Sequence, residues 1–121
     1  MIQNHIMISA LVAFAVITDS FTSQNRIEAA ESELVAAKQN YLDAVKNKSD
    51  LESAAFKYAE VVMTSPVLAP MEKYPLALAL YRQTLAINPD HRQAKDQAQL
   101  IVDIYAGLGK EPTEFDLSKI K

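Results

Sequence analysis

Cysteine and tryptophan are absent from this chain, and glycine occurs only twice in its 121 residues, at Gly107 and Gly109. Without a thiol there is no disulfide framework, no cysteine-based zinc site and no cysteine nucleophile. Two glycines argue against many hairpins, phosphate-cradling loops and nucleotide fingerprints, all of which need glycine for close backbone approach. A basic surplus is missing too: 15 acidic against 12 basic residues give a net charge of −3, so there is no footprint for nucleic acid. What is present is apolar, at 50% of the residues, which excludes a disordered chain. The composition points to an all-α protein that binds rather than catalyses.

The strongest hydrophobic feature is Ile6 to Ile17 (IMISALVAFAVI), broken only by Ser9 and followed by Thr18-Asp19-Ser20. A bilayer core of about 30 Å needs about twenty apolar residues, so this run has the length of a signal-peptide core, a short anchor or a buried helix. Ala13-Phe14-Ala15 is a small-x-small triplet of the kind a signal peptidase cuts, which would leave a chain starting near Val16. The leader before the run carries no Lys or Arg, the first basic residue being Arg26. Residues 1–21 are therefore read as a hydrophobic leader, either a signal peptide, a short membrane anchor or a core helix. A periplasmic or inner-membrane-associated protein of bacterial type is expected, with the cytoplasm as the alternative.

From Thr22 to Lys46 there is no glycine or proline and helix formers dominate, which predicts a long amphipathic helix. Ile27, Leu34 and Tyr41 recur every seven residues, with Ala30, Ala37 and Ala44 three residues after each: an a/d seam over three heptads. An all-alanine d position packs closely but buries little area, so the seam should pack against the chain's own helices rather than form an isolated dimer. Asn47-Lys48 interrupts the pattern, and Ser49-x-x-Glu52 reads as a capping box opening a helix from Asp50 to Thr64. Its apolar face is Leu51, Ala54, Ala55, Tyr58, Val61 and Val62. The charges Asp43/Lys46 and Lys57/Glu60 form solvated i,i+3 pairs.

Residues 65–74 contain Pro66 and Pro70 and should be largely irregular, with Val67, Leu68 and Met71 tucked against the helices. Pro75 then suits a helix start, and the helix runs to about Ile87. Asn88-Pro89-Asp90 turns the chain, with Asn88 or Asp90 capping a last helix that ends at Gly107. In that helix Ala94, Ala98, Ile101, Val102 and Tyr105 face inward, and Asp90, Arg92, Lys95, Gln97 and Asp103 outward. Lys110 to Lys121 is a flexible tail, either frayed or strapped across the bundle.

Ala77-x-x-x-Tyr81 with Pro89 eight residues later, and the ending Leu85-Ala86-Ile87-Asn88-Pro89-Asp90, resemble the second helix of a tetratricopeptide repeat. The resemblance implies antiparallel helical hairpins, with Ala77 admitting the paired helix, Tyr81 filling the gap between hairpins and Pro89 setting the turn. It implies one degenerate repeat, residues 22–109 being the folded domain, closed by a capping helix after Pro89. The W-x-x-L-G-x-x-Y signature of a first helix is missing, and about ten residues separate the two helices where the family uses a few. Because about three repeats are usually needed to bury a continuous core, the N-terminal helices, self-association or a partner must supply the missing layers.

No constellation suggests catalysis. His5 and His91 have no metal-ligand spacing, His91 being best read as helix-cap chemistry. Glu31/Glu33 and Glu111/Glu114 lie in solvated stretches, and no serine sits in a G-x-S-x-G elbow. No catalytic residue, metal or cofactor is therefore expected. The expected function is a protein–protein interaction or assembly module, with another protein or peptide, or itself, as partner, and a membrane contact through residues 6–17. A partner segment would lie against the helix 50–64, with Lys57, Tyr58, Val61 and Arg82 as candidate contacts by their predicted exposure. The alternative is a structural bundle that self-associates through Ile27, Leu34 and Tyr41.

Overall fold

The computed structural model describes the backbone of residues 2–121 and the side chains of residues 22–121. The side chains of the apolar run Ile6–Ile17, its Ala13-Phe14-Ala15 triplet and His5 lie outside those described. Four helices follow in order, α1 (Ile2–Asn47), α2 (Leu51–Thr64), α3 (Pro70–Ile87) and α4 (Arg92–Gly107), then a single 3₁₀ turn at Leu117–Lys119. No strand occurs among the described residues. Each helix packs against the next, α1 on α2, α2 on α3 and α3 on α4.

The break after α1 is a local backbone event. Ser49 N–H donates to the Ala44 carbonyl at 3.3 Å across Lys48, whose φ is 52°, so a lysine holds the left-handed position that usually takes glycine. The expected capping box does not form: Asp50, at φ 54°, is the N-cap of α2 and makes no side-chain cap bond. Glu52 is engaged elsewhere, its Oε1 accepting from Asn88 Nδ2 at 2.8 Å. That bond joins the start of α2 to the end of α3, so the two helices run antiparallel.

The chain leaves α2 through only five residues, Ser65–Ala69, not ten. Pro70 and not Pro75 opens α3, because a proline in the first turn gives up an N–H that would have no intrahelical partner. The Ala69 carbonyl anchors that turn by accepting from both Glu72 N–H and Lys73 N–H, at 3.0 and 2.8 Å, and Pro75 is carried inside the helix. Of the apolar loop residues only Leu68 packs on the core; Val67 is exposed and Met71 is 90% exposed.

The cap after α3 falls on His91, in keeping with its reading as helix-cap chemistry, and not on Asn88 or Asp90. Asn88 Oδ1 accepts from Asp90 N–H within the turn, and it is His91 that caps α4, its Nδ1 accepting from Ala94 N–H at 3.2 Å. At the other end Gly109 N–H reaches the Ala106 carbonyl and Lys110 N–H the Tyr105 carbonyl, with Gly109 at φ 68°. This paired ending needs a left-handed residue, and the second glycine supplies it.

The core is built from small and aromatic side chains. Ala55, Ala59, Ala77 and Ala94 are wholly buried, as are Val62, Leu80, Tyr81 and Ile101. Alanines at the crossings let the helix axes approach closely. The seam of α1 is used in the same way over its C-terminal part, where Ala37, Tyr41 and Ala44 are buried, while Ile27 is 47% exposed and residues 22–29 are all exposed. At a rise of about 1.5 Å per residue, 14-residue α2 can cover only about 21 Å of 46-residue α1. Ring contacts tie neighbouring helices in two separate groups: Tyr41 of α1 with Tyr58 of α2 at 5.7 Å, and Phe56 of α2 with both Tyr81 of α3 at 6.0 Å and His91 at 4.4 Å.

After Gly109 the chain turns back, and Leu117 and Ile120 pack against the core beside α3. The strapped form of the tail is the one present.

Candidate interaction surface

The residues expected to meet a partner are divided by the fold. Tyr58 and Val61 are 5% and 8% exposed and belong to the core, which corrects their predicted exposure. They sit on the flank of α2 that α1 and α3 cover, with Tyr58 against the ring of Tyr41. Lys57 and Arg82 are exposed, on α2 and α3. Lys57 borders a polar hollow between α1 and α2 with Asn40, Asp43, Asn47, Asp50 and Ser53. Ala77 and Tyr81 are fully buried in α3, and Pro89 is exposed in the turn that follows.

A second hollow was not read from the sequence. It opens between α2 and α4 and is lined by Phe56, Glu60, Gln93, Asp96 and Gln97. Its floor is fixed from behind. Tyr81 donates its phenolic hydrogen to Glu60 Oε1 at 3.0 Å, and Phe56 is held between the rings of Tyr81 and His91. Burial together with the Glu60 carboxylate drives the Tyr81 phenol well above its ordinary pKa, so it remains a donor throughout the neutral range. Glu60, expected in a solvated pair with Lys57, thus has a defined orientation instead. Asp43 is likewise engaged on its own helix, accepting from Gln39 Nε2 at 2.9 Å.

The signal for this hollow was present but weak. Gln93, Asp96 and Gln97 share one face of α4 at i, i+3 and i+4, yet uncharged glutamines on a helix read as ordinary solvent face. Only the antiparallel return of α3 brings that face beside Phe56.

No family model, curated protein or solved structure matches the chain. The chemistry of the surface therefore rests on its residues. Among the described residues no group of three or more His, Asp or Glu is placed to hold a metal ion. The α2–α4 hollow offers amide donors and acceptors, two carboxylates and one aromatic edge, a set suited to the backbone and side chains of a polypeptide segment. Among the described residues, no helix is long and apolar enough to cross a membrane.

Proposed function

We propose that this protein is a non-catalytic protein–protein interaction or assembly module, in which α2, α3 and α4 form one tetratricopeptide-like repeat with its capping helix and α1 supplies the missing layer. The observation that carries the reading is the place of the three signature residues. Ala77 and Tyr81 lie wholly buried in the second helix of an antiparallel pair, and Pro89 stands in the tight turn to α4. The five-residue connection between α2 and α3 supports it, being close to the few residues such repeats use.

In this reading the partner is a peptide or helix lying across α2 and α4, in contact with Phe56, Gln93, Asp96 and Gln97. A photo-crosslinking residue at Gln97 should give a discrete adduct that the same residue at Arg82, on α3, does not give. Strong thermal stabilisation by a metabolite or metal in a screen would instead overturn the non-catalytic reading.

Residues 6–17 hold the module at, or carry it across, a membrane of bacterial inner-membrane type. Their apolar length and the Ala13-Phe14-Ala15 triplet support this. Sequencing the N-terminus of the protein after cell fractionation tests it, and an intact Met1 in the soluble cytosol is the result that defeats it.

A further inference from the structure

The hollow between α2 and α4 carries charge of one sign. Among its lining residues Phe56, Glu60, Gln93, Asp96 and Gln97, two are acidic and none is basic. The basic residues near them in sequence stay out of it: Lys57 borders the hollow between α1 and α2, and Arg92 and Lys95 are exposed on α4 without lining the recess.

The two carboxylates are held differently. Glu60 is half-buried and oriented by the Tyr81 hydroxyl, which donates to Oε1 at 3.0 Å and leaves Oε2 out of that bond. Asp96 is exposed and has no hydrogen-bond or ion-pair partner among the described residues. In this it differs from Asp43 and Asp103, each of which accepts from the glutamine four residues before it, at 2.9 and 2.8 Å. A cation entering the hollow therefore meets one pre-oriented carboxylate and one uncommitted one, and gains charge-assisted hydrogen bonds at little ordering cost on the α2 side. An acidic group entering there would meet two like charges.

Past the acids the surface turns apolar. Leu100 follows Asp96 by four residues and Gln97 by three, on the same face of α4, and is 46% exposed. On α2, Met63 follows Glu60 by three and is partly buried. Both helices run antiparallel to α3 and so parallel to each other. The acidic level is thus followed, one turn toward the C-terminal ends of both, by an apolar level.

We infer that the α2–α4 hollow receives a basic segment of another protein, with a Lys or Arg head group between Glu60 and Asp96 and an apolar side chain one turn further on against Leu100. This rests on the reading of α2 and α4 as the partner-binding face and adds to it the charge and pattern of the partner.

The probe is a library of random twelve-residue peptides displayed on phage and panned on the full chain. Selected peptides should carry Lys or Arg with an apolar residue three or four positions away, and should crosslink to a photo-reactive residue at Gln97. Binding of one such synthetic peptide should weaken about threefold in Asp96→Asn and about tenfold in Glu60→Gln/Asp96→Asn. Glu33→Gln, which removes the same charge from the exposed face of α1, should leave it unchanged. In Glu60→Gln the amide oxygen still accepts from Tyr81, and Asp96 is exposed, so matching circular dichroism is expected of every variant. Peptides that crosslink at Gln97 but carry no basic residue overturn the inference and leave the α2–α4 reading standing. Peptides that crosslink at Arg82 and not at Gln97, or a library that yields none, overturn both. Basic peptides whose affinity none of these variants alters overturn the inference, as does a dimer of the full chain that Asp96→Asn dissociates, which would put a second copy in the hollow.

Discussion

Three residues beyond helix ends adopt left-handed backbone, Lys48, Asp50 and Gly109, and only the last is glycine. The position of the break at 47–50 was legible from Asn47 and Ser49, but its mechanism was not. A capping box is recognised by residue type, whereas the Glu52 that would complete it is drawn away by Asn88 from a helix distant in sequence. Lysine at the left-handed position of the α1 ending carries a steric cost that glycine avoids. Lys48→Gly should therefore raise stability, by roughly 0.5–1 kcal/mol after the extra freedom glycine gives the unfolded chain. Gly109→Ala should do the reverse. Nothing lies within 4 Å of an added Cβ there, so the loss is that of the backbone conformation alone, about 1 kcal/mol. Chemical denaturation of the two variants, with unchanged m values, checks both signs.

At the scale of elements, periodicity served well and proline badly. The apolar faces of α2 and α4 were legible because 3.6-residue spacing is imposed by the helix itself. The start of α3 was misplaced because Pro70 and Pro75 are each compatible with a first turn, and only the anchoring by the Ala69 carbonyl chooses between them. Much of the hollow at α2–α4 was illegible for a related reason: a helix face is marked by its neighbours in space, and α4 lies beside α2 only after α3 has reversed the chain. Ala77 illustrates what the packing demands. It is wholly buried in the same core as Ala55 and Ala59, also wholly buried, so its methyl group lies in a fully enclosed part of the packing. Ala77→Leu would add three carbons where the helices have no room to part, at a cost of about 1–3 kcal/mol. For a folded unit of this size the thermal midpoint should fall by roughly 4–20 °C, the upper end if Tyr81 must also shift. A midpoint within about a degree of wild type would show that the α2–α3 approach is not set by this alanine.

For the whole molecule, the three buried tyrosines connect the helices and set its behaviour in alkali. Tyr41 belongs to α1, Tyr58 to α2 and Tyr81 to α3, and burial is the main cause raising the pKa of each. For Tyr81 the carboxylate of Glu60 adds to the effect, for Tyr58 the neighbouring Tyr41 does, and for Tyr41 the bond to Gln83 works against it. An unfolded tyrosine titrates near pH 10. Above that pH the unfolded chain has released protons that the folded chain still holds, so stability falls as pH rises. Below about pH 9 these groups bind the same protons in both states and contribute no pH dependence. The expected result is that Tyr41, Tyr58 and Tyr81 ionise as the helices melt, in one step seen together by phenolate absorbance and helical circular dichroism. Tyr81→Phe should lower the number of protons coupled to that step by one. If Tyr41, Tyr58 and Tyr81 titrated near pH 10 with the helices intact, their burial in the shared core would not be as described. A single cooperative alkaline transition requires the first helix to be part of the same folding unit as the hairpin, and Tyr41, held by Tyr58 and Gln83, is the contact through which it joins.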